Sequence, residues 1–184
     1  MMKRYSIFTI FMIAIFISSL SCATDTEQLH YQLTPKSIIH QVQSRGAEVV
    51  VSELYRDWNI WNSILKKIAS ADEDWLRTAV ALRAGSDAGT SEMLELSVGE
   101  ALENNPVNVF RVTLKAFQLN SICSGPDVDD FRYNSYELSI KAINQRIRKV
   151  SAVTDRTLES TCKKCIHHLE ASKVEIARFY GIKK

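Results

Sequence analysis

Tyr136, Ile140, Ile143, Ile147 and Val150 step by four, three, four and three. Leu158, Cys162, Cys165, Leu169, Ser172, Ile176 and Phe179 repeat that stepping. Two apolar rows of this period, joined through Thr154-Asp155, bury each other as antiparallel α-helices with a coiled-coil-like seam. Strands would instead show alternation by two. Gly 6 and Pro 3 in 184 residues also supply few turns for an all-β chain.

The residues before this hairpin read as shorter helices. Thr34-Pro35 is a hydroxyl cap followed by proline at the first helical position. Gly46 is a break. Ala47 to Tyr55 holds three consecutive valines and a strand-like propensity, but Val50, Val51, Leu54 and Tyr55 are spaced as a helix face. Trp58, Trp61, Leu65 and Ile68 share another face. Ser70 to Glu73 has capping-box spacing ahead of a helix carrying Trp75, Leu76, Ala79, Val80 and Leu82. Arg83 to Thr90 is a loop, with Thr90 or Ser91 expected to cap the helix that follows to Glu103. Asn104-Asn105-Pro106 ends it and starts a helix carrying Val109, Val112, Leu114 and Phe117, and Ser121 to Asp130 is a second loop. Asn134 and Glu137 form a capping box before the hairpin. The expectation is an all-α single domain of six to eight helices over residues 34–184. The short helices could stack as pairs, although no strict repeat is visible.

Met1-Met2-Lys3-Arg4 is a positive start, Tyr5 to Leu20 is uncharged and mostly apolar, and Ser21-Cys22-Ala23 places small residues for a cut after Ala23. Residues 1–23 therefore read as a secretory signal peptide, and 24–33 as a polar lead-in. The apolar run is short for an uncleaved spanning anchor. Leu20-Ser21-Cys22 also looks like a lipoprotein box with Cys22 lipidated, although Ser19 stands where that pattern usually has leucine. Of 23 basic residues, removal of the leader takes away Lys3 and Arg4, so the remainder balances the 21 acidic ones. Such a chain lacks the excess positive charge of a nucleic-acid binder. A membrane enters only through Cys22 or an uncleaved leader.

Cys123, Cys162 and Cys165 remain after the leader. An exported protein favours a disulfide. Cys162 and Cys165 share a helix face, where a bond between them would distort the helix. A bond from Cys123 to either one would pin the second loop to the last helix, closing about 40 residues. Two other chemistries compete. Cys162-Lys163-Lys164-Cys165 has thiol-redox spacing, but mid-helix rather than at a helix N-terminus. Cys123, Cys162, Cys165 and His168 have the ligand chemistry for zinc, but only as reduced thiolates. Haem attachment fails because Ile166, not histidine, follows Cys165.

The loop Gly85 to Thr90 precedes a helix N-terminus, a place that can hold an anion, but lacks the glycine spacing and lysine of a phosphate loop. Asp127, Asp129 and Asp130 resemble the opening of a calcium loop, but Arg132 and Leu138 occupy the positions of its glycine and final glutamate, so a helix cap is expected. The histidines His30, His40, His167 and His168 match no nucleophile motif, and no cofactor is implied. Trp58, Trp61 and Trp75 are candidates for a partner surface, against the simpler use of filling a core.

Trp75 to Gly89 (WLRTAVALRAGSDAG) and Ile122 to Tyr136 (ICSGPDVDDFRYNSY) resemble segments of small uncharacterised secreted α-helical proteins of proteobacteria. The resemblance implies an exported helical protein and carries over no residue role. Together these features lead to an expectation of a non-enzymatic protein-binding module of the periplasm or outer envelope. Its sharper form is an immunity or inhibitor protein against an envelope-directed toxin or hydrolase. The alternatives are a thiol-redox or metal-binding protein using Cys162 and Cys165, and a scaffold lipoprotein anchored through Cys22.

Overall fold

The computed structural model describes residues 33–182. The leader, the cut after Ala23, Cys22, His30 and nearly all of the lead-in lie outside the described residues. Among the described residues there are nine α-helices, two 3₁₀ turns and no strand. The helices are α1 (Pro35–Arg45), α2 (Ala47–Arg56), α3 (Trp58–Ala69), α4 (Glu73–Arg83), α5 (Ala88–Ala101), α6 (Pro106–Thr113), α7 (Leu119–Ile122), α8 (Tyr136–Ser151) and α9 (Glu159–Phe179). The all-α expectation holds, with one helix more than six to eight. The addition is the single turn α7, at the start of the segment read as loop.

Short polar side chains start these helices by accepting from N–H groups that the first turn leaves unpaired. Thr34 caps α1 with Pro35 behind it, and Asn105 caps α6 with Pro106. Asp57 caps α3. Three predicted caps are displaced. Asp72, not Ser70, caps α4, because Ser70 is still the C-cap of α3. Asp87 caps α5 in a reciprocal box with Thr90, so the helix begins three residues before the predicted Ser91. Ser135, not Asn134, caps α8. In each case an aspartate or serine in extended conformation lay within three residues of the candidate chosen from spacing.

Ala47–Arg56 is helical despite its valines, because Val50, Val51 and Leu54 bury one face, which a strand would split between two sides. The centre of the first seven helices is α4, which packs against α1, α2, α3, α5 and α6. Its Leu76, Ala79 and Leu82 are fully buried. Contacts between helices two apart, α3 with α5, α4 with α6 and α5 with α7, stack these short elements. Gly85 permits one close approach: a Cβ there would lie 2.1 Å from the Glu48 backbone nitrogen at the start of α2. Helix α6 ends at Thr113, before Leu114 and Phe117, although Phe117 is buried beyond it.

The long pair α8 and α9 forms the expected antiparallel hairpin. On α9 the predicted row is buried from Cys162 through Ile176, but Phe179 is exposed. On α8 the buried row is Ser139, Ala142, Ile143, Arg146 and Val150, while Tyr136, Ile140 and Ile147 are only half-buried. The helix is turned from its apolar stripe because a second face points at the end of α5 and the residue after Cys123. There the Arg146 Nε donates to Glu103 (3.1 Å) and its Nη1 to the Ser124 carbonyl (3.0 Å).

Candidate functional site

A groove of about 600 Å³ lies between α3, α5 and the segment Pro126–Arg132, with Arg146 of α8 reaching it. Helix α3 contributes Trp58, Asn62, Leu65 and Lys66, and α5 contributes Met93, Leu96, Ser97 and Glu100. Steps of three and four put each set on one helical face. The walls are tied together at one point by the Trp61 indole N–H, which donates to Met93 Sδ (3.3 Å). The third wall is a loop, and charge holds it. Arg132 donates from Nη1 and Nη2 to the two Glu100 carboxylate oxygens (3.1 and 2.7 Å) and from Nε to both oxygens of Asp130 (3.1 and 2.9 Å). The Arg132 hydrogen bond pulls the Asp130 carboxyl below the usual range, and Asp130 in return holds the guanidinium charged. Burial, followed by the charges of Glu100 and Glu103, pushes the neighbouring Tyr133 phenol up.

Depth divides the groove chemically. At the mouth Trp58 is 53% exposed and Phe131 is 80% exposed. At the floor Arg146 is 1% exposed, with its Nη2 unpaired among the described residues. Gly99 lets α5 come close there, since a Cβ would lie 2.9 Å from the Ile122 carbonyl oxygen and 3.5 Å from Arg146 Nη1. Ser97, the groove's one hydroxyl, donates to the Met93 carbonyl (2.9 Å) within its own helix. The arrangement offers apolar contact surface and aromatic edges flanked by charged side chains of both signs.

The three tryptophans have three different fates. Trp58 is on the groove. Trp61 is wholly buried, so it belongs to the core and not to a partner surface. Trp75 is half-buried beneath the Lys67 ammonium, 4.7 Å from its ring. Phe131, Arg132 and Arg146 escape periodicity. Phe131 lies in a 3₁₀ turn, and the arginines have the composition of a solvent face. An aromatic between Asp129-Asp130 and Arg132 is the one sequence signal that could have marked the loop.

Cys123 bonds Cys165, with the Cα atoms 5.2 Å apart. Of the two open pairings the structure takes the one to Cys165. Cys162 is a free, buried thiol whose pKa is raised by burial and then by the charge of Asp155. The Cys162/Cys165 pair is therefore not the bonded pair, and two of the four zinc candidates are spent as a disulfide. No group of three metal-ligating side chains converges among the described residues. His40 and His167 are exposed and His168 is half-buried.

The loop before α5 carries its own anion: the Asp87 carboxylate accepts from the Thr90 N–H (2.9 Å) and hydroxyl (2.7 Å), which lowers its pKa. Asp127 accepts from the Asp129 N–H (2.9 Å), and Asp130 caps the 3₁₀ turn Phe131–Tyr133. The acidic run is thus a turn and a cap, but of the 3₁₀ turn and not of the following helix α8, which Ser135 caps. No described helix is long and apolar enough to cross a membrane. No protein-family model, curated protein or solved structure matches the chain.

Proposed function

We propose that this chain is an exported, non-enzymatic protein-binding module of the bacterial envelope that docks its partner over the groove mouth. The carrying observation is the pair Trp58 and Phe131, two large aromatics left exposed on opposite elements of one groove. Rigid aromatic side chains give much contact area for little ordering entropy, and they dominate the energetics of protein interfaces. The loop bearing Phe131 is clamped to α5 by the Arg132–Glu100 pair, so the two aromatics are presented preorganised. The sharper form of the reading is an immunity or inhibitor protein that blocks an envelope-directed toxin or hydrolase.

Envelope expression of the protein is expected to protect cells against a matched envelope-directed toxin. The double variant Trp58→Ala/Phe131→Ala is expected to fold normally by circular dichroism and to lose that protection. Equal killing with and without the protein, for every neighbouring toxin tried, would sink the immunity form. Full protection by the double variant would move the partner surface away from the groove. The lipoprotein alternative is rejected if Cys22→Ala leaves membrane attachment unchanged.

A further inference from the structure

We propose that the partner enters the groove mouth with a segment that carries an arginine beside apolar residues. This names the chemistry of the docking partner and rests on the reading of the groove as a protein-docking site.

The argument starts from charge. Glu100, Asp127, Asp129 and Asp130 line the groove against two exposed cations, Lys66 and Arg132. Arg146 adds nothing at the mouth, because it is buried and its charge is met by Glu103. Arg132 is shared between Glu100 and Asp130. Asp127 and Asp129 are both exposed and make no ion pair among the described residues. One Asp127 oxygen accepts from the Asp129 N–H of its own turn, and the other remains open to a partner. Such a mouth repels an acidic segment and attracts a basic one. Lys66 stands on the α3 wall, so a uniformly basic segment would meet repulsion there. A single cation directed at the loop wall avoids it.

The aromatic lips select the kind of cation. Trp58 stands on one lip with Tyr55 edge-on to it, ring centroids 6.4 Å apart, and both are exposed. Phe131 stands on the other, next in sequence to Asp129-Asp130. A guanidinium is planar, stacks on aromatic faces and can meet a carboxylate as a bidentate fork. A lysine ammonium is a more strongly hydrated point charge. The residues beside that arginine have apolar surface to cover, since Leu65, Met93 and Leu96 also line the groove. An arginine flanked by apolar side chains answers both features. A phosphorylated or acidic segment answers neither.

The test uses the purified chain and three capped pentapeptides at low ionic strength: Ala-Leu-Arg-Leu-Ala, its citrulline analogue and its glutamate analogue. Binding is read from the Met93 methyl NMR signals. The arginine peptide is expected to bind roughly tenfold tighter than the neutral citrulline one, the combined effect of an exposed ion pair and an exposed cation–π contact. The glutamate peptide is expected to bind more weakly than either. Salt at about 1 M, where the Debye length is ~3 Å, should narrow the gap. Asp127→Asn/Asp129→Asn keeps the acceptor that closes the turn and removes both charges. It should bring the arginine peptide most of the way to the citrulline level and leave the citrulline peptide unchanged. Trp58→Ala/Phe131→Ala should weaken both. Equal binding of the arginine and citrulline peptides, both lost in the aromatic variant, would overturn the proposal and leave the docking reading standing. Arginine-peptide binding that survives in the aromatic variant would lie elsewhere and count against both. No shift with any peptide would overturn the proposal, while toxin protection lost in the aromatic variant would still uphold docking. Self-association of the free chain in low-salt sedimentation, abolished in the aromatic variant, would seat a second copy at the mouth and also overturn it.

Discussion

The seven-helix stack and the C-terminal hairpin are held by different means. In the stack, Trp61, Ile64, Ile68, Leu76, Leu82 and Leu94 are all at most 1% exposed, and one central helix shares its faces among five neighbours. In the hairpin, Ile143, Val150 and Leu169 are joined in the buried set by Ser139, Arg146 and Ser172, and a disulfide ties α9 back to the end of α7. The stack relies on apolar burial, which is undirected and tolerant of how helices are joined; its buried Thr78, Thr90, Ser97 and Thr113 bond within their own helix or cap and tie no two helices together. The hairpin relies on a few directed bonds, each of which specifies a position. The groove lies where the two meet, with α3 and α5 from one region and Arg146 from the other.

Removing the covalent link should separate the regions most. Cys123→Ala opens a closed stretch with a sequence separation of 42, a loss of about 4 kcal/mol in the chain-entropy model. Hydrogen exchange should show α8 and α9 losing protection before α4. Uniform loss across both regions would mean that they unfold as one unit. Leu82→Ala, at the fully buried centre of the stack, is expected to cost about 3 kcal/mol in urea unfolding, with α4 protection lost along with the rest. Glu103→Gln keeps the shape but removes the charge facing Arg146, and about 2 kcal/mol of destabilisation is expected. A null effect there would show that the ion pair contributes position and no stability.

Acid should act on capping carboxylates in both regions with smaller effect. Asp87, Asp130 and Asp155 all have lowered pKa values, set first by hydrogen bonds from Thr90, Arg132 and Thr157 respectively. A carboxyl with a depressed folded value stabilises fully above its unfolded pKa of about 3.9 and loses that contribution as pH falls through the folded value. Urea midpoints are therefore expected to hold steady from neutral pH to about 5 and to fall below about 4, with a shallower fall in Asp130→Asn. The smallest effect belongs to the mouth. Phe131→Ala should change stability by no more than about 0.5 kcal/mol, since its ring is on the surface.

The same contrast governs how much the sequence reveals. Apolar periodicity finds the stack and most of α9, because those helices bury what the period places together. It finds α3 but misassigns its edges, since Trp58 and Leu65 line a groove where Ile60 and Ile64 are buried. It misplaces the buried face of α8, because an arginine and a serine fill core positions there and pattern reading assigns both to solvent. Cysteine spacing narrows the disulfide to two pairings, and only three-dimensional placement chooses Cys165. The groove as a whole is illegible in one dimension. It joins residues from Trp58 to Arg146, which are far apart in the sequence and come together only through helix packing.

The Cys123–Cys165 bond encloses the loop bearing Phe131 and all of α8 within one covalent ring. A protease cutting this ring once, for example at the exposed Phe131-Arg132, would leave no loose fragment. The two ends would stay linked through sulfur, and the nicked chain would run as intact until reduced. Should the partner be a peptide-cleaving enzyme, the same ring would let the module survive being bitten and still present Trp58 from its uncut half.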